Sequence, residues 1–397
     1  MIKPIIICLL SLFVIAYIYV NFKFPFWSKQ PVFHFYKPHY LFKLDQHILT
    51  NSTQLTSKKY IDFDNVSVIN PSKSNDLLKY YFSLIRGHYL RDKLCSFNPT
   101  NNYFSNTLYG ENSYVALYKK TNYFYPYNTE VISGLTSKQL ILYRNKLSTE
   151  KRELYINYVD FLCTQYKYRK QYLTPKVIYT FVKYIMELQS KPTTIFMFKR
   201  ESEKQSFVPF CVYNNYIFNV NKIENLSINS FPQYKIIKLN SESLKILHRC
   251  IEMIKEKIDN FIYMDISTIM HYIEHGILHV YIAVNNNKNE TPLAVYIFKE
   301  NCFKYKDMNV IELTNSILLD KSITPEQFQV FSLATIERIC KDNKNIGYIS
   351  IENICDNNII IKKIKNKTIE IHKYQNNFYL YNYILLTISS KEVFFII

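Results

Sequence analysis

From Asp160 the chain runs Asp-Phe-Leu-Cys-Thr-Gln-Tyr-Lys-Tyr-Arg-Lys-Gln-Tyr-Leu-Thr-Pro-Lys-Val to Ile178: a strand end, a basic turn and a helix start in succession. That order suits a phosphate site. Tyr155 to Leu162 is rich in β-branched and aromatic residues, as a buried strand is. Thr174 followed by Pro175 predicts an N-cap and a proline at the first helical position, with a helix over Pro175 to Leu188. The first amides of a helix have no partner within it, and the helix dipole is positive there. Lys167, Arg169 and Lys170 add full charges, so a pyrophosphate is the ligand such a turn would hold. An ordinary strand–helix junction with surface cations has the same local pattern and stays open on local grounds.

Other constellations carry less. His271, His275 and His279 recur every four residues and would share a helix face, which is a metal-ligand spacing. Gly276 interrupts that segment and Val280 to Val284 reads as a strand, so His279 is expected outside any helix and no metal is expected. The mixture from Tyr166 to Tyr172 has the rings and cations of a single-stranded nucleic-acid platform. With 36 tyrosines in the chain such mixtures arise freely, and nucleic acid is not the expected partner. No Ser/His/Asp order or paired-carboxylate spacing stands out.

A strand, a turn and a helix must hold the basic segment, and the chain supplies such a set twice. Asp76 to Leu90 has apolar residues at helical spacing (Leu77, Leu78, Tyr81, Leu84, Ile85). Strands are expected at Ser113 to Tyr118, Glu130 to Leu135, Gln139 to Tyr143 and Tyr155 to Leu162, before the helix that ends at Leu188. A similar order follows Phe231: a helix over Ser241 to Lys257, then strands at Val280 to Val284, Leu293 to Phe298 and Val310 to Thr314. A helix over Pro325 to Cys340 and strands at Tyr348 to Ile351 and Phe378 to Leu386 complete it. The halves read as two copies of one α/β unit, and no short repeat points to a solenoid or propeller.

At 397 residues the chain exceeds one typical core, which agrees with two domains. A net charge of +17 favours an anionic partner. The eight cysteines show no Cys-x-x-Cys pair and read as reduced, mostly buried thiols. The surplus of Lys, Asn, Ile and Tyr matches AT-rich coding, as in large DNA viruses and parasites, and makes the Asn-x-Ser/Thr sequons a product of composition. Pro4 to Val20 carries no charge and reaches the short end of the roughly 17–25 residues that span a bilayer. Bulky residues follow it, so a retained single-pass anchor is expected rather than a cleaved signal. Lys23, Lys29 and Lys37 after the segment place the body on the cytoplasmic side.

The basic turn resembles the acetyl-CoA loop of GNAT acyltransferases, Arg/Gln-x-x-Gly-x-Gly/Ala, with Tyr172 at the glycine position. It is more similar to the N-myristoyltransferase branch of that superfamily. There a strand ends in Asn-Phe-Leu-Cys and the loop Arg-Ser-Lys-Arg-Leu-Ala-Pro also lacks the glycine; Asp160-Phe-Leu-Cys163 and Arg169 to Pro175 fall in register with both. Phe26-Trp27-Ser28-Lys29-Gln30-Pro31-Val32 resembles the family's Phe-Trp-x-x-Gln-Pro-Val segment. Ile132-Ser-Gly-Leu135 and Leu380-Tyr-Asn-Tyr383 are similar to its Ile-Ser-Ala-Ile and Leu-Tyr-Asn-Trp strands. The resemblance covers nearly the whole chain beyond residue 24.

What the resemblance implies is an α/β (α+β) fold of two tandem GNAT-like domains with mixed central sheets, behind the N-terminal transmembrane helix. The parts would be an anchor (1–21), a CoA-covering arm (22–50), a linker (51–74), an acyl-CoA domain (75–230) and an acceptor domain (231–397). Phe24, Phe26 and Trp27 would cover the CoA moiety, and Arg169, Lys170, Gln171, Tyr172, Leu173 and Thr174 would bind its phosphates. The backbone amides of Phe161 and Leu162 would form the oxyanion hole. The terminal carboxylate of Ile397, in the apolar run from Val393, would be the general base. The implied reaction moves a fatty acyl group from myristoyl-CoA or another acyl-CoA to an amine of a peptide or protein acceptor, such as an N-terminal glycine, in a monomer. The family's Thr-Ala-Gly segment is not reproduced by Thr193 to Phe198, nor its peptide loop by Lys199 to Tyr213, which leaves the acceptor open. A GNAT acetyltransferase and an inactive acyl-CoA- or peptide-binding protein remain alternatives.

Overall fold

Alternating β-branched and aromatic residues build the strands, and the computed structural model joins them into one mixed sheet of 16 strands. It describes residues 2–34, 36–37, 48–49, 59–73, 75–90, 94–122, 125–145, 153–189, 194–201, 207–223, 231–286 and 291–397. The first half holds α1 (Ile2–Lys23), β1 (Val66–Ile69), α2 (Asn75–His88), β2 (Cys95–Phe97), α3 (Asn101–Thr107), β3 (Tyr114–Asn122), β4 (Tyr125–Arg144) and β5 (Glu153–Thr164). It continues with α4 (Leu173–Leu188), β6 (Ile195–Glu201) and β7 (Cys211–Asn219). The second half begins with β8 (Tyr234–Lys238), α5 (Leu244–Lys257), β9 (Asn260–Tyr263), α6 (Ile266–Glu274), β10 (Leu278–Asn285), β11 (Pro292–Tyr305) and β12 (Met308–Leu318). Then come α7 (Pro325–Asp342), β13 (Ile346–Glu352), α8 (Asn357–Lys365), β14 (His372–Tyr381), β15 (Ile388–Ser389) and β16 (Val393–Ile396).

One unit occurs twice. Antiparallel β4 and β5 are followed by α4 and by β6, parallel to β5; antiparallel β11 and β12 are followed by α7 and by β13, parallel to β12. A parallel neighbour needs a crossover, and each helix provides it. The two units share one sheet. Strand β14, from the end of the chain, lies between β6 and β7, antiparallel to both, while β7 pairs with β13, so each half lends a strand to the seam.

Helix α4 packs Val177, Phe181 and Ile185, spaced by four, on Phe196 and Tyr381, and Phe26 and Val32 of the arm join the same cluster. Each such side chain contributes about 1.5–3 kcal/mol on burial, so the helix and the turn before it are held firmly on the sheet. On the opposite face α5 and α6 cover a core that takes in the tail: β16 pairs in parallel with β9, and Phe394 and Phe395 are buried.

The predicted membrane anchor is corrected. Among the described residues no helix is long and apolar enough to cross a membrane. The end of α1 is tied to the body instead: Val20 is buried, and the Tyr17 ring meets Tyr36 at 6.1 Å. The single-pass localisation falls with the anchor. Of the predicted arm and linker, residues 35, 38–47, 50–58 and 74 lie outside the described residues.

Candidate active site

The basic turn sits where the sequence places it, with its parts used differently. Helix α4 starts at Leu173, two residues before the predicted start, with Tyr172 as its N-cap residue at φ 57° and no side-chain cap. Thr174 does not cap; its hydroxyl meets that of Thr164 at 3.0 Å and ties the helix to the end of β5. Arg169 pins the turn: Nε donates to the Thr164 carbonyl at 3.3 Å and Nη2 to the His88 carbonyl at 3.0 Å, while the guanidinium lies 3.9 Å over the Tyr166 ring. Lys167 pairs with Glu130 at 3.1 Å. Lys170 and Gln171 are exposed, and Lys170, at φ 73°, has no ion-pair partner among the described residues. Lys170 is thus the cation of the turn with neither an ion pair nor a hydrogen bond among the described residues, and Lys59 Nζ stands nearby, 5.8 Å over the Tyr172 ring.

Strand β5 breaks its ladder just before the turn. Gly134 faces Cys163 and Thr136 faces Asp160, so Leu135 stands opposite both Phe161 and Leu162, and Phe161 takes φ 49°. This is a β-bulge. Its carbonyls are pinned by hydroxyl donors: Tyr81 to Phe161 at 2.6 Å, Thr136 to Asp160 at 3.1 Å and Ser133 to Cys163 at 3.1 Å. Gly134 is required there, because a Cβ would stand 2.7 Å from the Tyr81 ring and 2.8 Å from the Ala116 carbonyl. The Phe161 ring is caged by Phe97, Tyr89 and Phe104 at 5.4–5.7 Å, and Leu162 is exposed. Parallel pairing of β5 with β6 ends at Val159 and Phe198, so the strands part at the level of the bulge. One predicted amide is already engaged: Phe161 N–H donates to Asp160 Oδ1 at 2.7 Å.

A cavity of about 700 Å³ joins the bulge to the tail, lined by Asp160 and Phe161 at one end and by Phe395 and Ile397 at the other. Its floor crosses the seam, where Glu312, Ser350, Ile217 and His372 face one another in register across β12, β13, β7 and β14. Lys199 pairs with Glu352 at 2.5 Å, and Tyr213 donates to the same oxygen at 2.8 Å. Burial opposes the Lys199 charge, but Glu352 and Glu312 hold its ammonium above the usual range. The end of the tail is less apolar than the run Val393 to Ile397 predicts, because Lys299 Nζ donates to the Ile397 main-chain oxygen at 3.0 Å. Asn315 clamps the tail, donating to the Phe395 carbonyl at 2.9 Å and accepting from its amide at 3.3 Å.

Of the predicted residues, Phe161 and Ile397 meet in one cavity, while Arg169 to Thr174 gather at the start of α4. The arm packs beside α4: Phe26 is buried against Tyr60 at 5.1 Å, and Trp27 stacks on Phe198 at 5.6 Å. Phe24 is half-buried under Lys23. Sequence reasoning missed Asp160 and Lys299 as cavity residues, and Lys138, which lines a separate chamber of about 20 Å³ beside the bulge. The signal for Lys138 is its place in an inward alternation with Thr136, Leu140 and Leu142, where a charge is out of pattern.

No protein-family profile matches the chain, and no curated protein matches it in sequence. Solved structures do. N-myristoyltransferase of Saccharomyces cerevisiae with bound myristoyl-CoA superposes with a TM-score of 0.67 at 13% identity, over 92% of this chain and 94% of that one. The same yeast enzyme with myristoyl-CoA and inhibitors gives 0.66 at 13% identity, over 91% and 90%. A tandem GNAT protein from the clavulanic acid biosynthesis pathway gives 0.52 at 8% identity, over 79% and 98%. The chain shares the overall fold of these proteins.

Proposed function

We propose that the chain is an acyl-CoA-dependent N-acyltransferase of the N-myristoyltransferase kind, with an amine of a peptide or protein, such as an N-terminal glycine, as acceptor. The observation that carries this is the Phe161 bulge, which opens into a single cavity with Ile397 while its strand runs on into the uncapped start of α4. Lys170 and the first amides of α4 would take the CoA phosphates, Arg169 would hold the turn that presents them, and Phe24 to Trp27 would lie over the cofactor. The thioester oxygen would face the amides of Phe161 and Leu162, where negative charge develops as the amine attacks. Ile397, as carboxyl-terminal residue, would receive the amine in the groove. In a single-turnover assay with myristoyl-CoA and a glycine-initiated octapeptide, the full chain is expected to release one CoA thiol per amide formed. Acetyl-CoA in place of myristoyl-CoA separates the acetyltransferase alternative, and transfer that survives residues added after Ile397 removes the terminal carboxylate from the mechanism.

A second reading, a binder of acyl-CoA without turnover, is favoured by Asp160. Its carboxylate occupies the Phe161 amide at 2.7 Å, an anion where an oxyanion must form. Tight acyl-CoA binding with neither thiol release nor amide formation would decide for it.

A further inference from the structure

We infer that Lys299 is a positioning residue for acyl transfer: its ammonium grips one oxygen of the Ile397 carboxylate and leaves the other free for the incoming amine. This rests on the acyltransfer reading above and leaves the proton with Ile397. Lys299 Nζ donates to the Ile397 main-chain oxygen at 3.0 Å. Both residues are half-buried, and both line the cavity of about 700 Å³ that reaches the Phe161 bulge. The rest of the tail is fixed by other bonds. Strand β16 pairs with β9 from Val393 opposite Asn260 to Ile396 opposite Tyr263, the Ile396 carbonyl accepts from the Met264 amide at 3.1 Å, and Asn315 clamps Phe395. That ladder stops one residue short of Ile397. Rotation of the Ile397 carboxyl about its Cα–C bond is therefore set by Lys299, the one donor to its oxygen among the described residues.

Lys299 takes the tail although another acid stands beside it. Its register partner across the β11–β12 ladder is Glu312, and directly opposed residues of such a ladder have Cβ atoms about 4.5–5.5 Å apart. Glu312 also lines the groove, yet no ion pair joins the two among the described residues. On its other side, β10 sets the apolar Leu278 opposite Lys299. The groove also receives Asp160 and Tyr158 from β5, His372 from β14, and Glu352 of β13 paired with Lys199 of β6. Lys138 of β4 shares the small chamber beside the bulge with Lys299. Enclosure and the like charges of Glu312 and Asp160 favour a protonated carboxyl, which cannot accept a proton, whereas a cation in contact favours the carboxylate. Lys299 thus keeps the accepting oxygen ionised as well as aimed, through a charge-assisted contact.

The step balances. The free oxygen of Ile397 takes a proton from the acceptor ammonium, the nitrogen bonds to the thioester carbon, and the C–S bond breaks with its electron pair on sulfur. A second proton passes from nitrogen to that thiolate, leaving amide and thiol, and Ile397 returns its proton to solvent. The test compares the full chain with Lys299→Met and Lys299→Arg, using myristoyl-CoA and a glycine-initiated octapeptide. In Lys299→Met kcat should fall about 100-fold, the low end for a positioned base, with the KM for acyl-CoA unchanged, and Lys299→Arg should recover most of that loss. Carbon-13 NMR of the Ile397 carboxyl in an isoleucine-labelled chain needs no turnover. Its titration midpoint should move to higher pH in Lys299→Met and stay near the wild-type value in Lys299→Arg. A Lys299→Met chain that keeps the wild-type kcat, or a midpoint that does not move, overturns the role. A midpoint that moves while the wild type transfers no acyl group overturns the acyltransfer reading, and the role with it, and keeps only the pairing.

Discussion

The two strand–helix–strand units share a path and differ at their turns. In the second, Thr324 and Gln327 close the start of α7: the Gln327 amide donates to the Thr324 hydroxyl at 3.3 Å, and the Gln327 side chain accepts from the Thr324 amide at 2.9 Å. Pro325 stands at the start of that helix. In the first unit α4 has no side-chain cap, and its approach holds three non-glycine residues in the left-handed region, Phe161, Lys170 and Tyr172. Such conformations cost about 1–3 kcal/mol each and persist where the surroundings enforce them. The strands repeat the contrast. Strand β12 also skips a residue against β11, at Thr314, but there the neighbouring Asn315 grips the tail, whereas the bulge of β5 opens on the groove. One copy closes the start of its helix with its own side chains; the other leaves that start without a side-chain cap.

The largest effect is expected where the open copy is obstructed. Replacing Asp160 by Ala removes the acceptor that occupies the Phe161 amide, and the single-turnover rate should rise by up to about 10²- to 10³-fold, the range attached to one oxyanion donor. A rate that does not rise favours the binder and leaves the contrast between the units one of stability alone. Next in size is an acid response at His279 of β10, the strand that pairs with β11 of the closed copy. Burial, reinforced by Lys238, pushes the His279 imidazole down to about 4, below its ordinary 6.5. The unfolded chain then holds more protons than the folded one between those values. Stability is complete above pH 6.5 and declines as pH falls toward 4, by about 3 kcal/mol at most. Urea titrations of the wild type and His279→Gln should diverge in that window, and parallel curves would remove His279 as the cause. The smallest effects come from a matched pair. Thr324→Ala should lose about 1 kcal/mol of stability without changing acyl-CoA affinity, while Tyr172→Gly should gain up to about 1 kcal/mol by relieving its positive φ. Opposite signs in thermal melts support the contrast, and equal losses break it.

Much of this architecture was legible in the chain. The inward residues Leu78, Tyr81 and Ile85 of α2 are buried as their spacing predicts, and both crossover helices lie near their predicted ranges. The exchange of β7 and β14 across the seam was not legible, because it depends on pairing between strands far apart in sequence. Lys199 to Tyr213, compared with a loop, turns out to hold the end of β6 and the start of β7. The start of α4 was displaced by competition, since the Thr174 hydroxyl is held by Thr164 and Tyr172 takes the capping position. The apolar run Pro4 to Val20 had hydrophobicity in its favour, yet hydrophobicity alone did not make an anchor. At the site, family resemblance pointed to the amides of Phe161 and Leu162, while nothing local marks an aromatic residue for positive φ. The engagement of the Phe161 amide by Asp160 is visible only in three dimensions.

The most direct test of the open turn is calorimetric binding of myristoyl-CoA, acetyl-CoA and free CoA to the full chain and to Lys170→Glu, which spares the pinning contacts of Arg169. If the start of α4 holds the CoA phosphates, all three ligands bind, myristoyl-CoA most tightly. Reversing the charge of Lys170 then weakens each by about tenfold or more, as for a lost charge-assisted contact. Equal binding by the two proteins, or no binding of any CoA ligand to the wild type, would contradict a phosphate site at this turn.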